Sequence, residues 1–187
     1  FAFHGISYNR EFYQKHRYEL PEKIFYEDHE YTTSPCSYAA SIYPMDLYLY
    51  QYLVGNTEQS VSVTNRLKRM SHVEKVTEDL IRHYNAHPEL SDAAMEYIYK
   101  KTEGVILSYY VAGCIMNPDK KKGRKDCLRY NEMIQNLNIE FWNRVSKKFK
   151  MYLWMNRLGI SFPMYEKMLH SGIYNRLRHN QKIESEK

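Results

Sequence analysis

The sequence predicts a mainly α-helical, bundle-like fold with one short β element near residues 46–54. Three observations lead there. Beyond the turn-like "NTEQS" at Asn56–Ser60, apolar residues recur at the helical period to the end of the chain. A single segment, "DLYLYQYLVG", has period two instead: Tyr48, Tyr50 and Tyr52 alternate with Leu47, Leu49, Gln51 and Leu53. Across 187 residues the composition is 43% hydrophobic and 15% aromatic, which is enough apolar surface for a packed core. No internal repeat of fixed period is present, which argues against a solenoid.

In chain order, a first helix is expected from Asn9 through "REFYQKH", with Phe12 and Tyr13 turned inward. Leu20-Pro21 stops it, because proline restricts the residue before it. The segment "YEDHEYTTSPCSYAASIY" reads as a helix carried by Ala39, Ala40 and Ile42, with Pro35 near its first turns. The tyrosine-faced strand follows. Val73, Val76, Leu80, Ile81 and Tyr84 then share one helical face, which "NAHPEL" closes. Ser91-Asp92 caps a helix that runs through Ile98, Val105 and Val111 to Asn117-Pro118. "DKKKGRKD" reads as a loop or frayed helix start, followed by helices at Tyr130–Leu137, Ile139–Met155 and Ser161–Arg178 and a mobile tail, "NQKIESEK".

Charge is divided unevenly: Phe1–Pro118 carries 11 Lys and Arg against 15 Asp and Glu, and Asp119–Lys187 carries 16 against 7. The two parts are suited to different partners, or to each other. Three widely spaced cysteines, Cys36, Cys114 and Cys127, make neither a disulfide framework nor a metal knuckle and point to a reducing, cytoplasmic setting. No apolar run approaches the roughly 18 to 20 residues that span a bilayer, and "FAFHGISYNREF" lacks the regions of a signal peptide. The chain opens at Phe1 inside a patterned segment, so a piece of a longer protein is expected.

The densest group of chemically capable side chains is in "LPEKIFYEDHEYTTS", where Glu27, Asp28 and Glu30 fall within four residues. Carboxylates at a helix start complement its dipole and need no further role. Here, however, they follow the apolar-aromatic "KIFY" and precede the tyrosine-faced segment, which suits a base held at a pocket floor.

Four elements in a fixed order, "YNREFY" at Tyr8–Tyr13, "LPEKIFYED" at Leu20–Asp28, "YLYQYLVG" at Tyr48–Gly55 and "QSVS" at Gln59–Ser62, carry a resemblance. Together they are similar to the second half of the catalytic domain of family 2 nucleotide-sugar glycosyltransferases, inverting enzymes of the GT-A fold. The likeness covers roughly the first third of the chain. It implies that residues 1–64 are the acceptor-side remainder of a GT-A α/β domain and that residues 65–187 are a helical C-terminal extension. By resemblance Asp28 matches the catalytic base and Glu27 its motif neighbour. Gln59, Ser60 and Ser62 match a loop that approaches the diphosphate or acceptor, and His4 and Glu30 are further acceptor-side candidates.

The chemistry suits the residue type, since an acceptor hydroxyl that attacks an anomeric carbon with inversion must give its proton to a carboxylate within reach. The implied partners are a nucleotide-sugar donor and a glycan or lipid-linked acceptor, as in the building of a polysaccharide of the cell envelope. The implied cofactor is a divalent cation, Mg or Mn, which this fold holds with an Asp-x-Asp pair. The chain has no Asp-x-Asp and no glycine-rich nucleotide-binding stretch ahead of His4. The donor half is therefore expected outside it, no metal site is expected within it, and the isolated chain is expected to be inactive.

Other features carry weaker expectations. His83 and His87 are four residues apart, but Pro88 follows them and no carboxylate ligand is evident, so a zinc site is not expected. Cys36 reads as a structural thiol. Lys120–Lys125 reads first as solvated, and otherwise as attraction to anionic lipid or nucleic acid, with nucleic acid the less favoured. Between Phe141 and Phe162, aromatics interleave with Arg144, Lys147, Lys148, Lys150 and Arg157, as in a core helix with snorkelling lysines or one lying on the inner face of a membrane. A competing function is a non-enzymatic helical binding module whose basic face meets nucleic acid or an acidic partner.

Overall fold

The computed structural model describes residues 3–48, 50–51 and 62–171. Among these residues the fold is mainly α, as the periodicity predicts. A short 3₁₀ turn, Phe3–Gly5, precedes α1 (Arg10–Lys15) and α2 (Asp28–Thr33), and a second 3₁₀ turn, Pro35–Tyr38, follows α2 directly. Then come α3 (Val63–Lys68), α4 (Met70–Ala86) and α5 (Asp92–Tyr110), which widens into a π-helical turn at Val111–Met116. The chain continues through α6 (Lys120–Leu137), α7 (Ile139–Arg157) and α8 (Phe162–Leu169).

The four long helices make the core. On α4 the inward residues are Val73, Val76, Leu80 and Ile81, the face anticipated from spacing, and on α7 they are Phe141, Val145, Phe149, Tyr152 and Met155. Each fully buried side chain of this kind contributes roughly 1.5–3 kcal/mol. Caps set the helix starts: the Ser91 hydroxyl accepts the Ala94 N–H at 3.3 Å, Asp119 accepts the Lys122 N–H at 2.9 Å, and Asn138 accepts the Glu140 N–H at 2.8 Å. Buried tyrosines keep their hydroxyls satisfied. Tyr130 meets Thr77 at 2.6 Å, and Tyr110 donates to Asn131 at 3.0 Å.

The π-helical turn meets α6 backbone to backbone. A Cβ on Gly123 would lie 1.9 Å from the Gly113 carbonyl oxygen, so only glycine permits this approach. Lys120 ties the junction by donating to the carbonyls of Ile115 at 2.7 Å and Ile160 at 2.9 Å. Asn156 donates to the Cys114 carbonyl at 2.8 Å.

Four expectations are corrected or narrowed. The β element does not form in the described part of residues 46–54: residues 46–48, 50 and 51 have no regular secondary structure, and residues 49 and 52–54 lie outside the described residues. Period-two alternation needs a partner strand to become a sheet, and the described residues supply none. Of the two readings of "DKKKGRKD", loop or helix start, the helix start is the one found, since Asp119 caps it and α6 begins at Lys120. The helix anticipated across "YEDHEYTTSPCSYAASIY" is shorter: α2 ends at Thr33, and Pro35, with no N–H to donate, is followed by a single 3₁₀ turn that leaves Ala39, Ala40 and Ile42 outside. Of the helix anticipated at Ser161–Arg178, α8 accounts for Phe162–Leu169, and residues 172–187 lie outside the described residues.

Candidate functional site

The turn ahead of α2 is unusual. Lys23 and Tyr26 both have left-handed backbone, with φ of 61° and 74°. A bulky aromatic residue adopts that conformation at a cost of roughly 1–2 kcal/mol unless its surroundings hold it there. Two contacts from α4 and the residue before it do so. The Phe25 N–H donates to His72 Nδ1 at 3.0 Å, and the Arg69 guanidinium lies over the Phe25 ring, 3.4 Å from its centroid. The turn thus delivers Tyr26, Glu27 and Asp28 as a fixed group.

That group lines a cavity of about 480 Å³. Its floor is apolar, formed by Met70 and Val73 of α4 with Val105 and Ala112 from α5 and the π-helical turn. Polar groups stand around it: Glu27, Asp28, His29, Arg66 and Ser108. An apolar pocket with a few convergent polar side chains is the usual form of a small-molecule site. Glu27 occupies the N-cap position of α2 but makes no side-chain capping bond, and its carbonyl receives the Glu30 N–H at 2.9 Å.

Asp28 has charged company. Lys101 of α5 is half-buried; desolvation pulls its pKa down, and the neighbouring Asp28 carboxylate pulls it back up. Burial likewise lowers His29, so its imidazole is neutral at neutral pH. The arrangement can hold a substrate hydroxyl against Asp28 while Arg66 meets negative charge on the same ligand.

The remaining anticipated residues divide. Ser62 caps α3, its hydroxyl accepting the Asn65 N–H at 3.4 Å, and the same helix carries Arg66 into the cavity. Gln59 and Ser60 lie outside the described residues. His4 does not line the cavity; its ring stacks on Tyr50 with centroids 4.6 Å apart. Glu30 does not line it either. It points the other way, fully buried between α2 and α4 beside Tyr18, Asp79 and Lys75, with neither oxygen in a normal hydrogen bond. Burial, reinforced by the Asp79 charge, pushes its pKa up to about 8.

Further along α4, the His83 and His87 ring centroids lie 4.7 Å apart. His83 is buried, its Nε2 3.2 Å from the Ser37 hydroxyl, and burial with the neighbouring His87 lowers its pKa to about 4. His87 pairs with Glu89 at 3.0 Å. Cys36 is half-buried with its Sγ 3.2 Å from the Tyr8 hydroxyl. No group of three or more His, Cys, Asp or Glu among the described residues is placed to hold a metal ion.

Sequence reasoning missed Arg66, Lys101 and Ser108. They come from α3 and α5, far from Asp28 along the chain, and no local spacing marks them. The basic run Lys120–Lys125 is not a uniform patch, since Lys120 is committed to backbone carbonyls and, of its cations, Lys121, Lys122 and Lys125 are exposed and Arg124 is half-buried. No helix among the described residues is long and apolar enough to cross a membrane. Comparison with protein-family models, with curated proteins and with solved structures gave no match.

Proposed function

We propose that this chain is the C-terminal, acceptor-side portion of an inverting glycosyltransferase, which moves a sugar from a nucleotide-sugar donor to a glycan or lipid-linked acceptor. The observation that carries this reading is the position of Glu27 and Asp28: in the first turn of α2, on the wall of a cavity of about 480 Å³ with an apolar floor. An acid cluster serving only to start a helix has no reason to line a cavity.

In this reading Asp28 accepts the proton of the acceptor hydroxyl as that oxygen attacks the anomeric carbon. The half-buried Lys101 steadies the carboxylate's orientation. Glu27 shapes the mouth, and Arg66 meets an anionic part of the ligand. The apolar floor receives the face of a sugar ring or the first carbons of a lipid-linked acceptor. Donor binding and the cation that stabilises the leaving diphosphate belong to the donor half, outside residues 1–187.

A second feature supports a missing half. Ile42, Tyr43, Met45, Leu47 and Tyr48 are 56% to 103% exposed in one short run. That is a large apolar strip for a surface in contact with water alone. It is what a strand looks like when its sheet lies elsewhere.

The test is Asp28→Asn in the full-length protein. Turnover should fall by roughly 10²- to 10⁴-fold with donor affinity and helical content unchanged. Turnover at the normal rate would reduce the carboxylates to helix-starting residues. The 187-residue chain alone should transfer no sugar, and turnover by it would refute the placement of the donor half.

A further inference from the structure

Between Phe141 and Tyr165 the chain has no Asp or Glu, and it carries Arg144, Lys147, Lys148, Lys150 and Arg157. The fold sorts these cations. Arg144 pairs with Glu96 at 2.7 Å, and Lys148 pairs with Glu103 at 2.6 Å, so both are used within the bundle. Lys147, Lys150 and Arg157 are exposed and have no acidic partner among the described residues.

The aromatic and aliphatic residues of α7 divide in the same way. Phe141, Phe149 and Tyr152 are in the core, whereas Met151, Trp154 and Leu158 at the outer side are 43%, 59% and 56% exposed. At 100° per residue, Lys147, Lys150, Met151, Trp154, Arg157 and Leu158 fall within an arc of about 120°. Arg157 and Lys150 lie at one edge of it and Met151 at the other, and Lys147 falls between Trp154 and Leu158. On α8, Met164 and Met168 are also exposed, one turn apart, with Lys167 next to them.

An ordinary solvated helix face alternates both charge signs and keeps its largest apolar residues inside. Beyond Glu140 in its first turn, the face of α7 from Lys147 to Leu158 does neither. Tryptophan, methionine and leucine sharing one exposed face with cations that have no acidic partner match the boundary of an anionic bilayer, where indole sits at the headgroup level and lysine stems reach outward. We propose that the outer face of α7 docks on an anionic lipid surface, with Met151, Trp154 and Leu158 entering the headgroup boundary and Lys147, Lys150 and Arg157 meeting lipid phosphates. The surface stands apart from the transferase reading, because no α7 residue lines the Asp28 cavity.

The experiment is cosedimentation of the full chain with vesicles of phosphatidylglycerol and phosphatidylcholine in equal parts, against vesicles of phosphatidylcholine alone. Binding to the anionic vesicles is expected, weakening steeply as salt is raised, with little binding to the neutral ones. Each cation near such a surface strengthens binding about fivefold, so the triple variant Lys147→Glu, Lys150→Glu, Arg157→Glu should lose about 100-fold or more. Replacing Trp154 alone by Ser should weaken binding several-fold with circular dichroism unchanged, since the side chain is not part of the core. No binding by the folded chain would overturn the proposal. So would equal binding to both vesicle types, or a triple variant that loses affinity for duplex DNA or an acidic peptide while vesicle binding persists.

Discussion

The segment up to Gln51 and the bundle from α4 onward differ in what they bury: the bundle's core is mostly apolar, with a few buried polar residues such as Thr77, Thr102 and Asn156. In the bundle the buried set is Val76, Leu80, Ile106, Ile134, Phe141 and their like, with tyrosines whose hydroxyls have partners. In the N-terminal segment the buried residues include Glu30, Thr32, Thr33, Ser34 and Ser37, and the large apolar ones, Tyr43, Leu47 and Tyr48, are exposed. Buried oxygens of Glu30, Thr33 and Ser34 have no hydrogen-bond partner. A segment stabilised by its own packing would do the reverse. The difference teaches that the bundle is organised for its own stability, whereas the N-terminal segment buries polar groups and leaves apolar surface exposed.

The largest expected effect lies where the bundle has no slack. Gly123→Ala would press a methyl group 1.9 Å from the Gly113 carbonyl oxygen and 2.9 Å from its carbon, so two backbones must part. Loss of about 3 kcal/mol or more is expected in urea unfolding. Gly104→Ala, also within a helix but with nothing within 4 Å, should instead gain roughly 0.5–1 kcal/mol. Equal behaviour of the two would remove the close backbone approach from the account of the bundle.

Next comes Glu30. Its folded pKa of about 8 is above the ordinary 4.5, so between those values the folded protein holds a proton that the unfolded chain has released. Stability should therefore be full below about pH 4.5 and decline as pH rises toward 8. Glu30→Gln keeps the shape of the neutral acid, should flatten that decline, and should raise stability at pH 8 by about 1–3 kcal/mol. A pH profile unchanged by the substitution would mean that Glu30 finds water or a partner and that the N-terminal segment is less polar inside than it looks.

The same contrast explains what was legible in the sequence. The bundle could be read because Val73, Val76 and Leu80, or Phe141, Val145 and Phe149, repeat at helical spacing and pack locally in the way that spacing requires. The tyrosine alternation at Tyr48 and Tyr50 is equally regular, yet the described residues there form no strand, because a strand is completed by a neighbour and not by its own pattern. Glu27 and Asp28 stood out as an acid cluster, but that they line a cavity depends on a left-handed Tyr26 that no propensity favours. The side chains that surround them, Arg66, Lys101 and Ser108, depend on how α3 and α5 cross the start of α2. The orientation of Glu30, away from its neighbours, follows from the 100° step per helical residue only once the core side of α2 is known.

The smallest effect tests whether the two regions are coupled at all. His72 belongs to α4, but its Nδ1 accepts the Phe25 N–H at 3.0 Å, and this bond and Arg69 over the Phe25 ring hold the strained turn against the bundle. His72→Ala removes one hydrogen bond at a site open to water, which can replace the lost acceptor. Global stability should fall by no more than about 1 kcal/mol. The turn should respond far more, with amide exchange at Phe25 to Asp28 accelerating while Val76, Leu80 and Ile106 stay protected, because local opening need not involve the core. Once Tyr26 is free to leave its left-handed conformation, Asp28 loses its fixed place on the cavity wall. On the proposed transferase reading, activity should then drop although the fold survives. A global loss above about 2 kcal/mol would show instead that turn and bundle unfold as one unit, and the contrast between a stability region and a site region would fail at the contact that joins them.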